Sequence, residues 1–247
     1  MGRTWVRARS CRNGDASALT EAITGATGVF ILPPPEFDPQ PGYPEARAVI
    51  DSVVEALTAA KPEKVLCLST IGADAVHDNL LSQRTMLEAA LGQLPLPLTI
   101  LRPAWFIDNV AWEVSTVRDT GVIHSFLQPM DKAFPMVGAK DVGRLAADLI
   151  QEDWTGHRVV ELEGPSRVTP NELAEAFASV IGEPVRAVPV PRKSWLELFR
   201  SQGMKNPGPR MRMLDGFNEG WIDFEDGGSK AIKGWTTAVD VIRALLV

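Results

Sequence analysis

The 247 residues are 45% hydrophobic and 23% charged, with a formal net charge of −6, a globular composition with ample material for a core. That charge, with no long basic run, speaks against a nucleic-acid or anionic-membrane partner, and no apolar run approaches the roughly 20 residues of a membrane-spanning helix. Two cysteines (Cys11, Cys67) and three histidines (His77, His124, His157) make neither a disulfide framework nor a credible metal site.

The arginine-rich start, MGRTWVRARSCRNGD, lacks the apolar core of a secretory signal. A soluble, cytoplasmic protein with one large domain, or a domain plus a smaller lobe, is the expectation. Trp5 to Cys11 alternates loosely, as a strand would. Asn13-Gly14-Asp15 reads as a turn, with Asp15 or Ser17 capping a short helix through Leu19 and Ile23. Val29 to Leu32 reads as a buried strand ended by three prolines. Val49, Ile50, Val53, Val54 and Leu57 give residues 46–60 the spacing of a helix with one buried face. Val65 to Leu68 is a second strand, and residues 79–91 are a second such helix. Leu98 to Leu101 is a third strand, closed by Pro103, which cannot donate to a sheet ladder.

This alternation predicts an α/β fold: a parallel sheet with covering helices. Residues 112–140 read as a less regular crossing segment. Asp141 opens a helix, Val159 to Leu162 is a further strand, and Thr169-Pro170-Asn171-Glu172 is a strong helix start. Val185 to Val190 suits a strand and Ser194 to Gln202 a helix. Thr237 and Asp240 form a capping pair for a last helix over residues 238–246.

The stretch LTILRPAWFIDN (98–109) has the most functional promise. It sets Arg102, Trp105, Phe106 and Asn109 just beyond a buried strand, where open α/β sheets bind ligands. The structural alternative is a strand end whose two aromatics plug the core. Thr24-Gly25-Ala26-Thr27-Gly28 looks like the start of a dinucleotide-binding glycine loop, but such a loop follows a strand and opens a helix. Here a helical segment precedes it and a strand follows, so it reads as a helix-to-strand turn. Tyr43 sits in a proline-rich loop, which rules out a tyrosine–lysine pair on one helix. Cys67 reads as core, and Glu161 and Glu163 as a strand edge.

Six stretches, GVFILPPP (28–35), VLCLSTIGA (65–73), NLLSQRTMLEAAL (79–91), LTILRPAWFIDN (98–109), VGAKDVGRLAADLI (137–150) and the segment 159–190, resemble in order the NmrA-like branch of the atypical short-chain dehydrogenase/reductase superfamily. MLDGFNEGWIDFE (213–225) looks like the carboxy-terminal part of bacterial members. The resemblance implies a Rossmann-like NAD(P)-binding domain over residues 1–164 and a smaller substrate-side α/β lobe over 165–247. It implies NADP, slightly favoured, or NAD as cofactor, a small-molecule substrate, and room for a homodimer. By the same resemblance Asp15 and Ala16 lie near the adenine, and Leu32, Pro33 and Pro34 line the adenosine side. Ser69 and Thr70 approach the nicotinamide ribose, and Pro103, Trp105 and Phe106 bracket the nicotinamide.

The superfamily's lysine falls on Arg84, with Glu88 as the glutamate four residues on, and its tyrosine falls on Leu80. Arg84 can bond a ribose but cannot act as an acid at neutral pH. The front of the chain also departs from the pattern. The family's glycine-loop βαβ unit, about 30 residues or more, has no counterpart, so the sequence reads as N-terminally truncated or as a short form completed by a partner subunit. Three functions follow as expectations: an NAD(P)-dependent oxidoreductase passing hydride to a small carbonyl, quinone or similar acceptor; a non-catalytic NAD(P)-sensing or protein-binding module; or an inactive truncated copy.

Overall fold

The computed structural model describes residues 14–246, so the strand expected over Trp5 to Cys11 lies outside the described residues. Helix α1 (Ala16–Ile23) turns into strand β1 (Gly28–Ile31), and α2 (Pro44–Ala60) follows the proline loop. Next come β2 (Lys64–Leu68), α3 (Ser82–Leu91) and β3 (Leu98–Pro103). The middle of the chain forms β4 (Trp105–Phe106), a 3-10 segment (Ile107–Glu113), α4 (Val114–Thr120), β5 (Val122–Ser125), β6 (Met136–Val137), α5 (Ala139–Leu149) and β7 (His157–Glu163). The remainder forms α6 (Pro170–Ile181), β8 (Arg186–Pro189), α7 (Trp195–Ser201), α8 (Gly208–Glu219), β9 (Ile232–Lys233) and α9 (Ala238–Leu246).

The main sheet has the order β1-β2-β3-β7-β9, every pair parallel. With helices on its faces this is the expected α/β, Rossmann-like architecture. Register explains why its strands are apolar on both sides. Ile31, Cys67, Ile100 and Val159 stand in one row, and the first three pack against Ile50, Val53 and Leu57 of α2 and Leu87 and Leu91 of α3. The alternate residues Leu66, Leu68, Leu101 and Leu162 face a second core containing Phe177, Trp195, Phe199 and Phe217, which draws on both sides of residue 164. Burying one such side chain contributes about 1.5–3 kcal/mol.

Local signals held where they had a physical basis. Asp15, not Ser17, caps α1 by accepting from the Ala18 amide. Thr169 and Glu172 form the full capping box, and Thr237 and Asp240 bond reciprocally ahead of α9. Gly25 (φ 78°) ends α1 and β1 begins at Gly28, so the GATG stretch is the helix-to-strand turn it was read to be. Two expectations need correction. Residues 112–140 are not irregular throughout, since α4, β5 and β6 lie there, with β5 pairing β8 and β6 pairing β4. Glu163 is not at a strand edge: β9 continues the sheet beside it, and its carboxylate is buried against Lys233 and Arg167.

Candidate functional site

The carboxyl ends of β1, β2 and β3 converge, and the backbone knits them together. Ser69 and Ile71 amides donate to the carbonyls of Leu101 and Pro103, each at 2.8 Å, and Ala104 donates to Leu162. Pro103 closes β3 as a buried residue whose carbonyl still accepts, so the chain turns out of the sheet at once into Trp105-Phe106. Both aromatics are half-buried in β4. Trp105 meets Phe217 of α8 edge-to-face, with centroids 5.2 Å apart. The strand end therefore presents an aromatic wall that is shared with the last third of the chain. Both rings pack against the main core on one side and keep part of their surface exposed on the other.

Beneath that wall a charged cluster fixes the strand ends. Arg102 Nε and Nη2 donate to the two oxygens of Glu88 (3.1 and 2.7 Å), and Nη1 donates to Asp74 at 2.7 Å. Burial alone would lower the Arg102 pKa, but Glu88 and Asp74 outweigh it and push it up. The Ser69 hydroxyl, buried, donates to the same Glu88. The hydroxyl of Ser69 is thus committed to α3, whereas Thr70 is half-exposed at the strand end. Burial pushes the Cys67 thiol up to about 12, which keeps it a neutral core residue.

The other sequence-derived residues fall around this edge. Leu32 and Pro34 are exposed after β1 and Pro33 is buried. Arg84 reaches under the proline loop, where Nη2 donates to the Pro33 carbonyl at 3.0 Å. Asp15 caps α1 and Ala16 is its first residue, on the helix that precedes β1 and packs against α2. Leu80, at the family tyrosine's place, is a buried core residue. Tyr43, at the cap of α2, donates to the Asn79 carbonyl at 2.8 Å and so sits beside Leu80 in space though far from it in sequence.

A dinucleotide placed by the sequence resemblance would set its nicotinamide half at the half-exposed hydroxyl of Thr70, the half-buried aromatic pair Trp105 and Phe106, and the buried Pro103. The pyrophosphate half finds no glycine loop at a helix start among the described residues, because the glycines at 25 and 28 follow a helix instead. No group of three or more His, Cys, Asp or Glu among the described residues could hold a metal ion. No helix among them is long and apolar enough to cross a membrane.

A contact invisible in the sequence ties the proline loop to the far part of the chain. Asp38 accepts from the amides of Lys205 and Asn206, both at 2.7 Å, and the Asn206 side chain donates to Pro39. Those amides hold the Asp38 carboxyl below its ordinary value. A depressed folded-state pKa stabilises the clamp fully above the unfolded value, about 4, and the contribution is lost as pH falls through the folded one. The Lys205 and Asn206 amide resonances are therefore expected to titrate together below pH 3.8. A shared transition at or above that pH would disprove the clamp.

No family model matches the chain. Among curated proteins, (4-alkanoyl-5-oxo-2,5-dihydrofuran-3-yl)methyl phosphate reductase of Streptomyces griseus is 25% identical over 177 residues, 70% of this chain. The chain spans 58% of that relative's length, and 60% of the length of a second, prestalk A differentiation protein A of Dictyostelium discoideum. Among solved structures, the NADPH-dependent quinone oxidoreductase from Escherichia coli, complexed with NADPH, superposes with a TM-score of 0.75 at 21% identity, covering 97% of this chain and 83% of its own. A mutant form of NmrA gives 0.62 at 18% identity, covering 93% and 73%. At these identities the likeness establishes the fold, and at that level the resemblance read from the sequence to NmrA-like, atypical short-chain reductases is borne out.

Proposed function

We propose that this chain holds a nicotinamide dinucleotide across the carboxyl ends of β1, β2 and β3 and serves as a reductase of a small carbonyl, quinone or similar acceptor. The observation that carries the reading is the aromatic wall of Trp105 and Phe106 standing at the end of a parallel strand beside Thr70, on a fold shared with an NADPH-bound quinone oxidoreductase. When bound, the nicotinamide supplies hydride. The chain's own residues do the rest. Thr70 offers a hydroxyl to the ribose, while Trp105 and Phe106 exclude water from the reacting face. Ser69, held by Glu88, keeps the end of β2 in place. Leu32, Pro33 and Pro34 take the adenosine side, Asp15 and Ala16 the adenine, and Arg84 supports the proline loop from below. Residues 165–247 form the substrate-side lobe, a role supported by the Phe217 contact to Trp105. NADP is favoured over NAD, and a cytoplasmic homodimer belongs to the same proposal.

Titration with NADPH tests it. A ligand at 100 times its dissociation constant stabilises a protein by about 2.7 kcal/mol, so the melting temperature should rise and tryptophan emission should change. NADPH that leaves both unchanged rejects the reading. One observation favours a second reading, a cofactor-sensing module: buried Leu80 offers no proton where the superfamily has its tyrosine. Binding without consumption of NADPH in the presence of small quinones or aldehydes would select that reading.

A further inference from the structure

Charge is unevenly spread along this chain. Residues 192–212 run from a 3-10 turn (Arg192–Ser194) through α7 into the first turns of α8. They hold six basic residues against one acid, Glu197, a net +5 in a chain whose total is −6, so everything else sums to −11. Of the six, Arg192 is paired through two bonds with Asp215, and Arg210 lies half-buried over the Phe199 ring, 4.6 Å from its centroid. Lys193, Arg200, Lys205 and Arg212 are exposed and make no ion pair with any described residue.

These four cations stand on one helix–loop–helix hairpin, since α7 and α8 pack against each other. Trp195 and Phe199 form the inner face of α7 and are fully buried. Lys193, Leu196 and Arg200, three and four residues apart, form the outer face, and all three are exposed. The connecting loop then brings Lys205. Asp38, whose carboxyl feels the Lys205 charge, is already committed to two backbone amides. Arg212 follows on α8, over the Trp221 ring at 5.6 Å. Like charges gathered in this way repel one another while no anion lies among them, so the hairpin gains most from a partner of opposite sign.

We propose that the α7–α8 hairpin docks a short acidic peptide segment of another protein, its carboxylates taken by Lys193, Arg200, Lys205 and Arg212. Charge complementarity sets the sign of the partner, and the surroundings of the patch set its kind. Residues 213–226, next along the chain, hold five acids and no base. A long polyanion, such as a nucleic acid or an anionic membrane surface, would have to lie across that repelling charge. The hairpin also lacks the parts those partners use. Its buried Trp195 and Phe199 cannot stack on bases, and Leu196 alone among its described residues exposes a large apolar side chain to enter lipid. The forks of Arg200 and Arg212, by contrast, match a carboxylate through two bonds. The inference does not rest on the hydride-transfer reading.

An octaglutamate peptide is the probe, with octaglutamine as its neutral counterpart, followed by amide shifts over residues 193–212. Binding should saturate and should weaken about fivefold or more between low salt and about 0.15 M, because exposed pairs are screened by salt. One exposed charge pair contributes a factor of about two to three. Lys193→Gln, Arg200→Gln and Arg212→Gln combined should therefore weaken the peptide about tenfold. Lys140→Gln, Lys230→Gln and Arg243→Gln combined change the net charge equally and should leave binding as in the parent. All six side chains are exposed, so both variants should fold. Absent shifts, equal binding of octaglutamine, undiminished binding to the first variant or an equal loss in the second overturns the proposal. So does tighter binding of a DNA duplex or of phosphatidylserine vesicles than of octaglutamate, which would assign the patch to another polyanion. Peptide binding retained beside absent NADPH binding would reject only the hydride-transfer reading.

Discussion

Glu88→Ala is expected to remove about 3–5 kcal/mol of folding stability, the typical cost of breaking a buried ion pair by deleting one partner. The magnitude follows from what the carboxylate holds. It accepts two bonds from Arg102 and one from Ser69, and the side chains of Arg102 and Glu88 are only 11% and 13% exposed. Deleting it strands a guanidinium in a low-dielectric pocket with Asp74 as its remaining ion-pair partner, and it frees a buried hydroxyl. Asp74→Ala provides the internal comparison. Its side chain is 38% exposed, so water replaces much of what it gives, and the expected loss is about 1 kcal/mol or less. Urea unfolding of the two variants distinguishes these costs. A Glu88→Ala protein within 1 kcal/mol of the parent would show that this cluster does not hold the strand ends together. The functional corollary is that Thr70, one residue beyond Ser69, depends on the same cluster for its position.

That cluster also shows which parts of the molecule were legible in the sequence. Parallel strands were readable because burial on both faces forces continuous apolar runs such as VLCL, and helix starts were readable because a cap is a local bond between residues three apart. Neither condition applies to Arg102, Glu88 and Asp74, which come from a strand, a helix and a loop and meet only through the fold. Within the span read as irregular, α4 is seven residues long and rich in β-branched side chains, and β6 has two residues; neither gives a periodic signal. Helix α8 was hidden by Gly208, Pro209 and Gly216, which have low helix propensity. Gly216 is there for packing: a Cβ would come within 2.6 Å of Ile222 and 2.7 Å of Trp221. Its reason is tertiary, and a local pattern cannot carry it. The aromatic wall was legible as a strand exit, but its contact with Phe217 was not.

Asp141→Ala should be the second severe lesion, at about 3 kcal/mol or more. The sequence offers this aspartate as a favourable charge near a helix start, an exposed-site effect of about 0.3–1 kcal/mol. The structure gives it a larger task. Asp141 is 4% exposed; one oxygen accepts from the amides of Trp235 and Thr236 at 2.8 and 2.7 Å, and the other accepts from the Thr236 hydroxyl at 2.8 Å. Each donor left unpaired in a buried setting costs about 1–3 kcal/mol. Asp141→Asn keeps the volume and one acceptor oxygen but turns an NH2 group toward these donors, so an intermediate loss is expected. The damage should also spread in a defined direction. Trp235 and Thr236 follow β9, whose Lys233 partners the buried Glu163, so loosening the clamp exposes that carboxylate and the edge of β7. Hydrogen exchange should accordingly quicken at Gly234, whose amide donates to the Glu163 carbonyl, while the amides of β2 stay protected. Uniform acceleration across the sheet, or a stability loss under 1 kcal/mol, would mean that β9 is held by its strand pairing and not by Asp141.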